Sequence, residues 1–380
     1  MKKIFYWSPC LANVGTVRST INSAIALSKY NGSKNQVYLI NACGEWDQYK
    51  KLCIQNNIKL INLTFNYFNF LPKEGFILSR ISYFLVFVIS YLPLLNIIKK
   101  YKPDCVILHL ITSLPLYLML VHNLNNKFIL RISGLPKLNF FRKKFWTICS
   151  KKLYKVTSPT ADLIDQIKEM NIFRDDQIFF LPDAIININN IKLNKSLIQT
   201  SENIQKKYFI SVGRLTKQKN FGYLIKEFEK FSKVNLNYDL LIFGEGEQFN
   251  YLKKLINMKK LENRIFLMGY SKNIYEEMKK ASCFLLTSLW EAPGFVLIEA
   301  AFSNLFIISS NCKNGPREFL SNGDAGILYE TDKQDALYKS LMLYEKTNIS
   351  EIRNKKLKAK INCKKYTIFS HFLKLNHILV

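Results

Sequence analysis

Short apolar segments, three to six residues long, alternate with longer amphipathic stretches through both halves of the chain. A segment that short buries enough surface only as a strand, and the stretch after it has the length of a crossover helix. The pattern therefore predicts parallel sheets with helices on their faces. In the first half, strands are predicted at Lys3–Tyr6, Gln36–Ile40, Asp104–His109, Phe128–Arg131, Lys155–Thr157 and Phe179–Leu181. A helix is predicted from about Thr16 to Tyr30, and Ser158-Pro159-Thr160 has the chemistry of a helix start. In the second half the same rhythm gives strands at Tyr208–Val212, Asp239–Phe243, Arg264–Leu267, Cys283–Thr287 and Phe306–Ser309. Helices are predicted between them, at Tyr223–Phe231, Asn250–Lys260, Ile274–Ala281 and Val296–Phe302.

The chain has 380 residues, too many for one ordinary core. An Asn-rich polar stretch without periodicity divides it. The expected organisation is a first domain at 1–185, a linker at 186–206 and a second domain at 207–364. A last helix, about 365–380, is free to pack back on the first domain. Both domains read as α/β, doubly wound and Rossmann-like, one fold used twice. Open sheets of this kind bind ligands beyond the carboxyl ends of their strands, so two facing sheets would form one cleft.

Charge narrows the choice of ligand. Fifty-five Lys and Arg against 28 Asp and Glu leave a formal charge of +27. Part of this excess belongs to a general richness in Lys, Asn and Ile; the remainder favours anionic partners. Eight scattered cysteines with no CxxC pair read as reduced thiols of a cytoplasmic protein. The four histidines have no metal-ligand spacing, so a zinc site is not expected; no resident cofactor is expected. The start, MKKIFYWSPCLANVG, has too few consecutive apolar residues for a signal peptide and reads as the first strand.

Three segments carry candidate chemistry. In Ser288–Ala300, SLWEAPGFVLIEA, Glu291 follows a strand, and Glu299 falls one or two turns into the next helix. Pro293 and Gly294 permit a tight turn at the helix start. The N–H groups of Phe295, Val296 and Leu297 are then expected to be free to receive a phosphate. Two surface acids bracketing a buried helix would give the same spacing. In Ser211–Asn220, SVGRLTKQKN, Gly213 frees the backbone after a strand, and Arg214 and Lys219 can grip phosphate oxygens. A buried ion pair at Arg214 and a solvated Lys219 are the plainer alternatives. The third segment is Gly244-Glu245-Gly246 after the strand LLIF, a turn with room for a base or ribose.

Together these residues resemble the family 4 glycosyltransferases of the GT-B fold, over nearly the whole chain and most closely from Tyr208 to Leu328. The pattern G-R-x-x-x-x-K is met by Gly213, Arg214 and Lys219, and the strand–GxG loop by Phe243 to Gly246. Glu291 and Glu299 supply the glutamate pair, and NGPREFL with GDAGIL supplies the segment after the donor helix. The resemblance implies retaining transfer from a nucleotide-sugar donor without a divalent metal. It implies that Arg214 and Lys219 bind the diphosphate, Glu299 the ribose and Glu291 the transferred sugar. The backbone at Gly294, Phe295 and Val296 would complete the pocket, with Glu245 and Tyr270 on the nucleotide side and Gly15 near the phosphates. The family's double glycine in the first loop is here Val14-Gly15-Thr16. A histidine expected after a later strand is replaced by Ser133, with Arg131 two residues before it. Arg131 reads as a substitute on the donor side or as a buried ion-pair partner, and His109 as a satisfied strand-end residue.

Two features concern the acceptor. Ile81–Ile98 is an uncharged run of 18 residues with Pro93 inside and a faint polar stripe of Ser79, Tyr83 and Ser90. It is expected to pack on the first sheet, with partial exposure at a bilayer surface rather than a true span. From Cys105 to Ala161 there is no acidic residue, while Lys143, Lys144, Lys151 and Lys152 stand among Phe140, Phe141, Phe145 and Trp146. That mixture suits an anionic membrane surface, and single-stranded nucleic acid as a second possibility. A solvated Lys-rich helix with its aromatics in the core is the third. The expectation is an enzyme on the inner face of the cell membrane, passing a hexose or N-acetylhexosamine from a UDP-linked donor to a saccharide or lipid-linked acceptor. A transferase with a soluble acceptor and a silent membrane- or RNA-binding protein are the alternatives.

Overall fold

A computed structural model describes residues 1–10, 15–30, 32, 34–72, 76–136, 138–188 and 207–380. Most of the expected linker (189–206), Val14 and Lys137 lie outside the described residues. The chain forms two compact units. One comprises Met1–Ile185 with Ile368–Val380, the other Ile186–Thr367. The boundary at Ile186 is fixed by backbone pairing, since its N–H donates to the Tyr366 carbonyl (3.0 Å) and Ile186 bridges Thr367.

The first unit holds a seven-stranded sheet in the order β3-β2-β1-β4-β5-β6-β7. Its strands are β1 Lys2–Trp7, β2 Asn35–Asn41, β3 Lys59–Asn62, β4 Cys105–Leu108, β5 Lys127–Arg131, β6 Lys155–Ser158 and β7 Ile178–Phe180. The second unit holds six, in the order β10-β9-β8-β11-β12-β13. These are β8 Lys207–Val212, β9 Tyr238–Phe243, β10 Ile265–Gly269, β11 Cys283–Leu286, β12 Phe306–Ser310 and β13 Ile327–Tyr329. Every pairing in both sheets is parallel. Each sheet reverses direction beside its first strand, between β1 and β4 and between β8 and β11, where doubly wound sheets bind ligands. Central strands are buried on both faces; all six residues of β9 are buried. Two strands not expected from the sequence have a physical reason for being obscure. β3 is a half-exposed edge, KLIN, and β13 has three residues. The helices Ala336–Lys346 and Ile349–Asn362 were not anticipated either.

Thr160 accepts a hydrogen bond from the Leu163 N–H (3.3 Å), capping the helix that Ser158-Pro159-Thr160 foreshadows. The last helix, Ile368–Leu379, lies on the helix Gly15–Tyr30, with Tyr30 against Phe369 (5.2 Å) and Phe372 (5.7 Å). At its centre His371 is fully buried. Its Nδ1 lies 2.6 Å from the Pro182 carbonyl and must carry the proton, so Nε2 accepts from the Ser23 hydroxyl (2.7 Å). Ser23 in turn accepts from the Tyr6 hydroxyl (2.8 Å).

His109, just beyond β4, belongs to a similar network. The Thr20 hydroxyl donates to the Thr16 carbonyl (3.0 Å) and so accepts from Nδ1 (3.1 Å), which leaves Nε2 to accept from Ser133 (2.8 Å). Arg131 pairs with buried Asp183 at 2.5 Å, and Asp183 also accepts from Ser19 (2.6 Å). His109 is therefore a satisfied neutral residue, and Arg131 an ion-pair partner.

Burial, followed by the positive charge of Arg131, lowers the His109 imidazole to about 3 and that of His371 to about 4. Both folded values lie below the unfolded one, so the unfolded chain binds the extra protons. Their contribution to stability is complete above pH ~6.5 and is lost as pH falls from there toward the folded values. At pH 5 the loss is roughly 2 kcal/mol per histidine. The melting temperature should fall between pH 7 and pH 5, and His371→Gln should reduce that slope; thermal denaturation with an unchanged slope would contradict the assignment.

Candidate functional site

In the second unit, the loops after β8 and β9 are fastened together by backbone. Gly213 N–H donates to the Phe243 carbonyl (3.0 Å), and Leu215 N–H to the Glu245 carbonyl (2.8 Å). Gly244 has φ +138°, and a Cβ there would lie 1.9 Å from the Gly213 carbonyl oxygen. The Gly-x-Gly segment is thus explained by close backbone packing. The open space expected at its glycines is taken by the β8 loop, and Glu245 is exposed. Arg214 is exposed and has no ion pair among the described residues, which removes the buried-pair alternative for it.

The short turn Lys217–Lys219 is stitched to the segment after β11. Thr287 Oγ1 donates to the Lys219 carbonyl (2.8 Å), Leu289 N–H to the Gln218 carbonyl (2.9 Å) and Gln218 Nε2 to the Trp290 carbonyl (2.8 Å). These bonds bring Lys219 Nζ to 2.5 Å from Glu291 Oε1. The Ser288 hydroxyl donates to the same oxygen at 2.5 Å, while Ser310 holds the Ser288 carbonyl (2.7 Å). Glu291 is 6% exposed and the Lys219 side chain 13%. Lys219 is therefore no solvated lysine, and Glu291 no surface acid. Removing one member of a buried pair costs on the order of 3–5 kcal/mol, because the other charge is left uncompensated. Both bonds use Oε1, and Oε2 has no hydrogen bond among the described residues. A ligand hydroxyl could donate to it.

Gly294 follows Pro293, with φ +90°, and caps the helix Phe295–Phe302. Its carbonyl accepts from both Leu297 (3.1 Å) and Ile298 (3.3 Å). The expectation that the Leu297 N–H is free is thus incorrect, because the left-handed turn at Gly294 aims this carbonyl back at it. The N–H groups of Phe295 and Val296 have no partner among the described residues and stand at the positive end of the helix, a ready anion site. Glu299 is buried within this helix and accepts from the Tyr275 hydroxyl (3.3 Å). Tyr270, after Gly269, is 71% exposed, with its ring open to solvent. Cys312 is buried; burial first, then the charge of Glu291, pushes its thiol up to about 12, so it stays protonated.

Gly15 belongs to the first unit, where it opens the helix Gly15–Tyr30 and is exposed. The sequence reading passed over Ser288, Ser310 and Tyr275. A lone serine or tyrosine has no spacing signal; only the fold aims Ser288 at Glu291.

Residues 194–362 match the family model described as glycosyl transferases group 1. An uncharacterised glycosyltransferase of Methanocaldococcus jannaschii is 32% identical over 60% of this chain and 60% of its own length. The N-acetylgalactosamine-N,N'-diacetylbacillosaminyl-diphospho-undecaprenol 4-alpha-N-acetylgalactosaminyltransferase of Campylobacter jejuni is 27% identical over 67% of this chain and 72% of its own. Among solved structures, Anabaena HepE in complex with UDP and glucose superposes with a TM-score of 0.75 at 14% identity, covering 100% of this chain and 99% of that one. The chain is thus matched to about three-fifths of the length of the archaeal relative, and its likeness to HepE is one of fold. Residues 194–362 thus resemble the group 1 glycosyl transferases, and the two Rossmann-like units have the architecture of the GT-B fold.

Proposed function

We propose that this chain transfers a hexose or N-acetylhexosamine from a UDP-linked donor to a saccharide or lipid-linked acceptor of surface-polysaccharide assembly, with retention at the anomeric carbon. The observation that carries the reading is the buried Lys219–Glu291–Ser288 group in the same unit as the unpartnered N–H groups of Phe295 and Val296. That group combines a cation, a carboxylate oxygen open to a ligand and an anion-binding helix start. The Campylobacter relative is named for a diphospho-undecaprenol substrate and HepE is complexed with UDP and glucose, which supports the choice of donor and acceptor classes.

In this reading Arg214 takes the donor diphosphate with its planar fork, Lys219 shares its charge between Glu291 and the phosphates, and the helix start completes the anion pocket. Glu299 accepts from ribose hydroxyls, Tyr270 lies beside the base and Glu291 Oε2 accepts from a hydroxyl of the sugar. The bond from the anomeric carbon to the β-phosphate oxygen breaks, and its electron pair stays on the phosphate. The acceptor hydroxyl attacks from the same face and gives its proton to a phosphate oxygen. Catalysis is leaving-group stabilisation and positioning, with these cations and dipoles in the role a divalent metal fills elsewhere.

Arg214→Ala should cut turnover ten- to a hundredfold or more with the fold intact, since a charge-assisted bond is worth ~1.5–3 kcal/mol. Turnover close to normal in steady-state assays of the folded variant would refute its role. The two glutamates should separate in calorimetry. Glu299→Gln should weaken binding of UDP itself, whereas Glu291→Gln should leave UDP affinity nearly unchanged and reduce sugar transfer. Equal losses of UDP affinity would mean that one is misplaced. Ser288→Ala should follow Glu291→Gln more weakly, lowering kcat with UDP affinity preserved. A donor screen that finds neither hydrolysis nor thermal protection by any nucleotide sugar, together with tight RNA binding, would favour the silent-protein alternative.

A further inference from the structure

The helix Phe76–Tyr101 is 26 residues long, and the core of the first unit uses one of its faces. Val86, Leu94, Leu95 and Ile98 are buried, and Tyr91 bonds His122 (3.0 Å) beside them. The other face carries Leu78, Ile81, Phe84, Leu85, Val88 and Leu92, a stripe at helical spacing with exposures from 36% at Leu85 to 67% at Phe84. The stripe runs for about 20 Å at the rise of an α-helix. Of the expected polar stripe, Tyr83 is exposed and Ser90 buried, so the solvent side is mainly apolar. Folded monomers seldom leave so continuous an apolar strip in water.

A second exposed apolar group lies on the helix Phe140–Ser150. Trp146 and Cys149 enter the core, but Phe140 (75% exposed) and Phe141 (79%) pair edge to face at 5.7 Å with no cover among the described residues. Part of the segment thus obeys the plain expectation of aromatics in the core, and this pair does not. Both helices pack against the helix Ser113–Val121. Arg142 of the helix Phe140–Ser150 has its pKa lowered, first by partial burial and then by the like charge of Arg80 on the helix Phe76–Tyr101. Lys143, Lys144 and Lys151 are exposed, Lys99 and Lys100 stand at the far end of the stripe, and no carboxylate occurs from Cys105 to Ala161.

We infer that this face of the first unit docks on an anionic lipid surface, with the long helix lying along it, Phe140 and Phe141 inserted and the basic side chains on headgroup phosphates. An apolar stripe edged by cations, with no acids interspersed, is the pattern of an interfacial helix. The helix is long and apolar enough to cross a membrane. It lies on the surface instead, because Val86, Leu94, Leu95 and Ile98 are committed to the core. The inference rests on the first unit alone and does not depend on the donor reading.

The test is sedimentation of the full chain with vesicles of phosphatidylcholine and phosphatidylglycerol, against vesicles of phosphatidylcholine alone. Binding should require the anionic lipid, weaken at high salt and fall about tenfold or more in Phe84→Ser/Val88→Ser/Phe140→Ser/Phe141→Ser. The variant should retain its melting transition and its hydrolysis of donor in the absence of vesicles, a readout that belongs to the function above. Should it fail to fold, Lys143→Ser/Lys144→Ser, confined to exposed side chains, should show the same loss in weaker form. No vesicle binding by the wild type, or binding indifferent to lipid charge and to both variants, would overturn the proposal. So would concentration-dependent self-association through this face without vesicle affinity, or salt-sensitive RNA binding in place of it.

Discussion

A parallel strand can begin only after the chain has been carried back to the same end of the sheet, and that requirement orders everything else in this molecule. Each return uses a helix, so every loop that follows a strand emerges at one edge. The candidate groups of the second unit lie on those loops or just beyond them: Arg214 after β8, Glu245 after β9, Tyr270 after β10 and Glu291 after β11. In the first unit His109 and Ser133 occupy the same kind of place, after β4 and β5. Residues scattered over about 90 positions of sequence between Gly213 and Glu299 thereby come from one edge of the sheet, together with the helix Phe295–Phe302, which carries Glu299.

Within that frame the second unit buries an ion pair on these loops. Lys219 and Glu291 are held 2.5 Å apart by a turn whose backbone is bonded to the loop that carries the glutamate. Ser288 occupies the same carboxylate oxygen. The second carboxylate oxygen is left without a hydrogen bond among the described residues. Arg214, by contrast, is exposed and has no ion pair among the described residues.

The first unit shows the opposite use of polar side chains. His109, His371, Arg131 and Asp183 are buried and spend their hydrogen bonds on one another's neighbours, which pins the last helix to the unit that begins the chain. Its outer face is left apolar along the helix Phe76–Tyr101. The same helix is therefore core on one side and exposed on the other, and its high hydropathy reflects both.

The sequence by itself determined the alternation of strands and helices, the division into two halves and the identity of the motif residues. Each of these is encoded locally, in runs of apolar residues, in Pro and Gly at turns and in short spacings. It left half-exposed β3 and three-residue β13 unseen, because an edge strand or a very short one carries little of the burial pattern that marks a strand. Which polar groups meet was decided by the tertiary structure alone. Ser288 on Glu291, Ser310 on Ser288 and Tyr275 on Glu299 are contacts of common residue types. The pairing of Arg131 with Asp183 spans 52 positions, and that of Lys219 with Glu291 spans 72. The orientation of the Gly294 carbonyl, which takes the Leu297 N–H and leaves those of Phe295 and Val296, depends on a positive φ that a glycine permits and does not dictate. Periodicity records which side of an element is apolar; whether another element covers that side is settled when the chain closes on itself, and along Leu78–Leu92 no described element does so.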